Sequence, residues 1–556
     1  MENVRAVVAL SWALGGALTC VAASQAFDPL AFVRAELAKG SLVVRVPKGQ
    51  YDVAPEGDAY LHLKGVSGVT VDFGGSLLRG TRQATMLRLE DCSDVTVANL
   101  AIDYPYDLPF TQGVIERRGP DGEWDVRIAE GYPDPANGRW RWPVQAYGGR
   151  THELVNPMRY RDGLKVARVG ERLWRVTGGG NRTGTVGDIA VWSMPGPGAH
   201  AVYATGCARC RFADVTVYAT PGSNAFREMR GAGGNTYLRC RVEPCPAGLD
   251  ARARALPRLR SGNHDAFNSR AMGKGPVYDG CVARNHCDDD VNINGGYWMV
   301  CAVEGARVRA ITSDLYADAF VAGPVQVMLP DGTVPEACPE VTSFREAAPP
   351  ALPELAMLKA RGLMPLLADA IHHAWTFAFA DAGHGLVPGA VFVPQNAGGN
   401  GWMIRNCRFG PNRARALILN ASHGLVENCV FDHTESQAVR ASASYPWLEG
   451  GCCRDVTVRG CTFLDCDCYF GANLGNGRLL PVASHRDVTV EDNRFKGRSR
   501  LIVHGCKGLA MRGNTFECAP SVAVDLKNVE QVPPMRQCRP PRDVQTSGLD
   551  GRSGKR

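Results

Sequence analysis

A short pattern recurs along the chain and narrows the folds open to it. It runs turn residue, apolar, any residue, apolar, two or three polar residues, then an aromatic. In the C-terminal third it reads GLVENCVF at 424–431, DVTVRGCTF at 455–463, DVTVEDNRF at 487–495 and GLAMRGNTF at 508–516, with MIRNCRF at 403–409 as a copy lacking its first residue. The closing residues Phe409, Phe431, Phe463, Phe495 and Phe516 are spaced by 22, 32, 32 and 21. Similar units occur earlier, as GVTVDFGGSLL (68–78), DVTVANLAI (94–102) and CRFADVTVYAT (210–220). Each unit alternates like a half-buried strand and ends on a bulky core residue. One unit cannot bury its apolar face alone, whereas copies stacked above and below complete a shared core. The pattern predicts an all-β chain, a right-handed parallel β-helix (solenoid) with small β subdomains inserted in it. A β-sandwich or a propeller is the competing reading, and the uneven period argues against propeller blades.

The chain has 556 residues, enough for one large solenoid or several ordinary domains. Its 63 glycines and 35 prolines supply many turns, which suits short strands. The net charge of +6 is small for this length, and no basic run interleaves with aromatics, so nucleic acid is not an expected partner. Arg5 precedes an apolar run from Ala6 to Ala23, and Ser24-Gln25-Ala26 offers small residues for cleavage. This predicts a signal peptide over 1–26 and a secreted or periplasmic protein, with a retained anchor helix as the alternative. No later stretch is long and apolar enough to span a membrane.

Breaks in the repeat divide the rest. Coils are expected over 27–111, an antiparallel β insertion over 112–195, and central coils over 196–306. A second insertion follows over 307–399, then C-terminal coils over 400–532 and a disordered tail over 533–556. The first insertion is rich in Trp, Gly and Arg, with turns at Pro120-Asp121-Gly122 and Gly178 to Asn181. The second contains VQVMLPDGTV, read as a hairpin, and a helix-like segment around Leu355 to Phe377.

Twenty cysteines in an exported chain would ordinarily suggest a disulfide framework. Cys407, Cys429 and Cys461, however, stand two residues before the repeat phenylalanine, where later copies carry Asn493 and Asn514. This is the signature of an internal ladder of small side chains, in which Cys acts as a buried hydrophobe and stays a free thiol. Cys210 stands in the same place before Phe212, and Cys240, Cys281 and Cys301 are candidates to continue the row. Cys452, Cys453, Cys466 and Cys468 leave a local bridge open.

Within Ser261–Gly296, Asp265 precedes Asp288 by 23 residues and Asp289 by 24. One coil of a β-helix takes a similar length, so the two sites fall on neighbouring coils, about 4.8 Å apart along the axis. Paired carboxylates can cleave a glycosidic bond, one donating a proton to the leaving oxygen and one acting on water. Crowding raises carboxyl pKa values and keeps one group protonated near neutrality. A calcium-binding turn or a purely structural acidic turn is the alternative.

Asp265, followed one coil later by Asp288, Asp289, Asn292 and Gly295, resembles glycoside hydrolase family 110. The resemblance extends to DVTVANLAIDYPYDLPFTQG (94–113), to KGP at 274–276 and to PNRARALIL (411–419). It implies a β-helical, exo-acting, inverting α-1,3-galactosidase that removes terminal galactose from glycans without a metal or other cofactor. It also implies that Asp265, Asp288 and Asp289 are catalytic, with Asp288 the general acid and the other two handling the water. Asn292 and Arg415 are candidates for holding sugar hydroxyls, with the ladder and a carboxylate as their alternative partners. Trp298 is a candidate for stacking on a sugar face, with a place in the core as the alternative. Asn268 and Asn294 stand where the family has His, and Asp290 replaces a small residue and adds a third negative charge. Those departures bear on galactose specificity and on whether the chain is active. The alternatives are a polygalacturonase-like hydrolase, a polysaccharide lyase, and a non-catalytic glycan-binding β-helix.

Overall fold

The computed structural model describes residues 27–530 except 137, 141–143, 157–163, 179–183, 361, 363–369, 435–436, 444, 472–481 and 519–522, and also the strand Gln545–Ser547. The expected signal peptide and the turn after Gly178 lie outside these residues. So does the expected tail, apart from Gln545–Ser547, which pairs in parallel with Val524–Glu530.

Each repeat unit folds as two short strands around a corner, not as the single strand its alternation suggests. Gly424–Glu427 is followed by Val430–Asp432, Arg454–Arg459 by Thr462–Leu464, and His485–Glu491 by Arg494–Gly497. The residue three before each phenylalanine makes the corner. Asn406, Asn428, Gly460, Asp492 and Gly513 all take φ between 53° and 64°. Only Gly, Asn and Asp adopt that left-handed conformation readily, so the corner is written into every copy.

Beyond the corner the units stack in parallel register. Phe409, Phe431, Phe463, Phe495 and Phe516 are paired one above another. Their rings stack with centroids 5.8, 4.9, 4.7 and 4.8 Å apart. Inside the corner Cys240, Cys281, Cys407, Cys429 and Cys461 form one column with Asn493 and Asn514. The Cys461 amide donates to Asn493 Oδ1 at 2.9 Å, and the Asn493 amide to Asn514 Oδ1 at 3.1 Å. Two members of the expected row belong elsewhere. Cys210 stacks on Asn235 in a neighbouring column, its amide donating to Asn235 Oδ1 at 2.8 Å, and Cys301 lies on the strand Trp298–Glu304 of the second insertion. Cys452, Cys453, Cys466 and Cys468 are free thiols, like the ladder cysteines.

A further face of the solenoid carries the strands Val202–Thr205, Phe226–Met229, Phe267–Arg270, Val291–Gly296, Leu417–Asn420 and Gln437–Ala441, each paired in parallel with the next. Val202, Phe226, Phe267, Val291 and Leu417 point inward and are buried. By the period of two, Tyr203, Arg227, Asn268, Asn292, Ile418 and Arg440 form the outward column.

Two insertions flank this face. Strands from Phe110–Arg118 to Ile189–Ser193 make an eight-stranded sheet of antiparallel pairs. Strands from Trp298–Glu304 to Val391–Pro394 close into a six-stranded barrel. The helix expected around Leu355 to Phe377 is shorter: Leu352–Ala360 is helical, and Ala374–Phe379 is a barrel strand. Its apolar alternation serves the barrel core, where Phe377 and Phe379 are buried. The solenoid strand Val291–Gly296 runs straight into the barrel. A Cβ on Gly296 would sit 2.3 Å from Tyr316 Cγ, and one on Gly295 2.5 Å from Val393 Cγ2, so close approach of the barrel requires both glycines.

Candidate active site

Three successive coils enter the outward face through the same turn, written GNHDAF (262–267), HCDDDV (286–291) and NRARAL (412–417). Parallel pairing sets them in register, with the Ala225 amide bonded to the Asp265 carbonyl, Ala266 to Asp289, and Asp290 to Arg415. Asp289 therefore stacks directly on Asp265, and Arg415 on Asp289. The true coil length between the acids is the 24-residue interval, and Asp288 stands beside the column, level with His264.

The structure brings the three predicted aspartates together. Asp265, Asp288 and Asp289 each present an oxygen within 4.8 Å of the others. Asp265 is buried, taking Asn268 Nδ2 at 2.6 Å on Oδ2 and the Asp289 amide at 3.3 Å on Oδ1. Asp289 is clamped from the next coil by Arg415, through Nη2 on Oδ2 at 2.9 Å and the Arg415 amide on Oδ1 at 3.1 Å. Asp288 is the most open, its side chain 20% exposed, with Arg413 Nη2 3.5 Å from Oδ1. Arg413 is itself fixed by donation from Nε to the Cys287 carbonyl at 2.6 Å.

Burial, and then the Asp288 and Asp289 charges, push the Asp265 carboxyl well above the usual carboxylate range. Burial also raises Asp289, against the pull of Arg415. Asp265 and Asp289, stacked on each other, titrate together and hold a proton more tightly than a lone aspartate does. Three acidic oxygens at this spacing also suit a divalent cation. Both oxygens of Asp289 also accept from Arg415, so the trio already has one positive charge beside it.

Asp290 does not join the patch. It takes the inward position that Ala266 and Ala416 fill on the coils below and above, and is fully buried. There it meets His286 Nε2 at 2.5 Å. The expected third negative charge is thus turned into the solenoid interior, because side chains alternate along the strand.

The remaining candidates separate. Asn292 stands on the outward face, its Oδ1 accepting Asn294 Nδ2 at 2.7 Å, and is not part of the interior ladder. Asn294 Oδ1 in turn accepts the Tyr316 hydroxyl at 2.8 Å and ties the barrel to the coil. Arg415 meets Asp289, the carboxylate alternative of the sequence reading. Trp298 is not available to a sugar: it is 1% exposed in the barrel core, with Trp375 and Phe377 edge-on at 5.0 and 5.2 Å. Glu449 lies outside every motif of the sequence reading. It arrives on a strand antiparallel to Gly295–Gly296 and accepts Arg270 Nη2 at 2.8 Å beside the trio.

Residues 392–518 match the family described as right handed beta helix region. The solenoid is a right-handed parallel β-helix. Two curated relatives share part of the chain. α-1,3-Galactosidase B of Bacteroides thetaiotaomicron is 29% identical over 126 residues, 20% of this chain and 20% of its own length. α-1,3-Galactosidase A of Bacteroides fragilis is 28% identical over 141 residues, 22% of each chain. The match thus spans about a fifth of the length of either relative. Among solved structures, the A-module of a mannuronan C-5 epimerase from Azotobacter vinelandii overlaps 91% of this chain and 93% of its own, with 9% identity and a TM-score of 0.38. No helix among the described residues is long and apolar enough to cross a membrane.

Proposed function

We propose that the chain is an exo-acting, inverting glycoside hydrolase that removes terminal α-1,3-linked galactose from glycans. One observation carries the reading: three aspartates from two coils converge within 4.8 Å, one open to solvent and one clamped by arginine. Asp288, the most exposed, is assigned as the general acid toward the leaving oxygen. Asp289, paired with Arg415, deprotonates the attacking water with Asp265 beside it. The oxygen spacing is shorter than the roughly 6.5–9.5 Å typical of an inverting pair, so inversion is taken from the family 110 resemblance and not from the distance. The names of the two relatives support galactose as the sugar released. Export from the cytoplasm remains part of the same proposal, resting on the signal-like N-terminus.

The test is incubation with p-nitrophenyl α-galactoside and with an α-1,3-galactosyl trisaccharide, with and without EDTA. Release of galactose from the trisaccharide in both conditions is expected. Release that EDTA abolishes would assign the trio to a cation, and binding without release would make the chain a lectin-like β-helix. Asp289→Asn should lower turnover by at least about a hundredfold, as loss of a general base does.

A further inference from the structure

A cleft of about 730 Å³ opens on the coils that precede the acidic trio, reaching Arg227 on the coil next to Asp265. Four arginines (Arg82, Arg88, Arg227 and Arg230) and three aspartates (Asp58, Asp314 and Asp318) line it. All but one of these charges are already engaged. Arg88 Nη1 meets Asp58 Oδ2 at 2.9 Å, and Arg230 pairs with Asp318. Asp314 Oδ2 meets His372 Nδ1 at 2.6 Å, and Arg82 Nη2 donates to the Gly57 carbonyl at 2.6 Å.

Arg227 is the exception. Its Nη2 donates to the Met229 sulfur at 3.6 Å, and no carboxylate among the described residues pairs with it. It sits in register with Asn268, the residue that holds Asp265 at 2.6 Å, and so lies one coil below and three residues, about 10 Å, along the strand from the Asp265 column, about the span of the next sugar unit. Arg270, the cation that acts on Arg227, is taken by Glu449. Burial and Arg270 bring Arg227 down to about 10, which still leaves it charged at neutral pH. Beside it, burial holds His200 well below its ordinary pKa, and the ring packs 5.1 Å from Tyr203. His200 thus adds no charge beside the guanidinium, and the acid that acts on Arg227, Asp265, does so without forming an ion pair. A half-buried guanidinium without a counterion is costly, and a ligand that supplies the charge removes that cost.

We propose that Arg227 binds an oxyanion, a carboxylate or a sulfate, carried by the sugar unit that adjoins the one held at Asp265, Asp288 and Asp289. This rests on the glycosidase reading and gives it a substrate class, acidic glycans. The planar fork of arginine matches either oxyanion through two parallel hydrogen bonds.

The experiment uses the intact chain and three oligosaccharides sharing an α-1,3-galactosyl end, in which the adjoining unit is neutral, a hexuronate or sulfated. Affinity is measured by calorimetry and hydrolysis in parallel. One anionic ligand should bind about tenfold tighter than the neutral one or better, in line with a charge-assisted bond, and the tighter of the two identifies the oxyanion. Arg227→Gln should bring that advantage close to one, while Arg227→Lys keeps part of it. Equal affinity for all three ligands, or an advantage that survives Arg227→Gln, overturns the proposal. Anion-selective binding without hydrolysis of any ligand would overturn the hydrolase reading and leave this subsite standing. Hydrolysis of the neutral ligand with no anion advantage would do the reverse.

Discussion

Arg415 and Asp289 face each other across one coil and are joined twice, by the guanidinium at 2.9 Å and by the backbone amide at 3.1 Å. Their column reads Asp265, Asp289, Arg415, so two negative charges are followed by one positive. The third coil supplies the second aspartate with a counterion that works against its burial. The barrel separates these two coils in the chain by 126 residues, yet the solenoid register restores their contact.

Arg415→Ala should therefore act on the base and not on the acid. Without the cation, Asp289 binds its proton more tightly, and a base that must be deprotonated then works only at higher pH. The acid limb of the pH–rate profile should move up, and kcat/KM below it should fall by about a hundredfold, as when one preorganised electrostatic partner is removed. Arg415→Lys should recover part of the loss. An unmoved acid limb would separate Arg415 from the catalytic charge.

Asp265 is raised in the folded protein by burial and by its two neighbours. The native state then binds a proton that the unfolded chain releases above the ordinary aspartate value, so this residue costs stability as pH rises through that interval. Asp265→Asn keeps the shape and removes the titration. Thermal unfolding should show the variant more stable than the parent at pH 7, with the gap closing as pH falls toward about 4. Turnover should be lost in the same variant. A gap that widens in acid would contradict the assigned direction.

His286 and Asp290 form a second buried pair on the opposite face of the same strand. Burial brings His286 down to about 4 and pushes Asp290 well up, so burial disfavours the charged pair and favours a neutral one across the 2.5 Å contact. Removing the ring strands a buried acid, and His286→Ala should cost about 2–4 kcal/mol in denaturant unfolding. Asp290→Asn, which can still donate to Nε2, should cost less. Equal losses would mean that the pair contributes packing alone.

The coils were legible because stacking demands repetition. Asn428, Gly460 and Asp492 mark the corners, and Phe431, Phe463 and Phe495 mark the core, at fixed offsets in each copy. Asp265 and Asp289 were legible for the same reason, since register converts a 24-residue interval into contact. Asp290 was misread because one residue along a strand exchanges the outer face for the inner one, and Cys210 because adjacent ladders use the same residue types. Glu449 and Arg227 carry no local signal. They reach the site through tertiary folding, the first on an antiparallel strand and the second one coil away among ordinary arginines. The barrel was legible only as a break in the pattern, because its strands pair with one another and need not match any coil.

Trp298 gives the last prediction, since it separates a sugar platform from a barrel core. The ring is enclosed by Phe320, Trp375 and Phe377, with centroids 5.0–5.5 Å away and planes near perpendicular. Edge-to-face packing of this kind fills a core and leaves no face for a ligand. Trp298→Leu keeps an apolar side chain in the barrel but abolishes any stacking surface. Loss of the aromatic contacts and the cavity left behind should lower barrel stability by about 2–4 kcal/mol, read by denaturant unfolding or by proteolysis between Arg307 and Pro394. KM for the α-1,3-galactosyl trisaccharide should stay within about twofold of the parent value. A rise in KM of tenfold or more, equivalent to about 1.4 kcal/mol of lost binding, would return Trp298 to the substrate site.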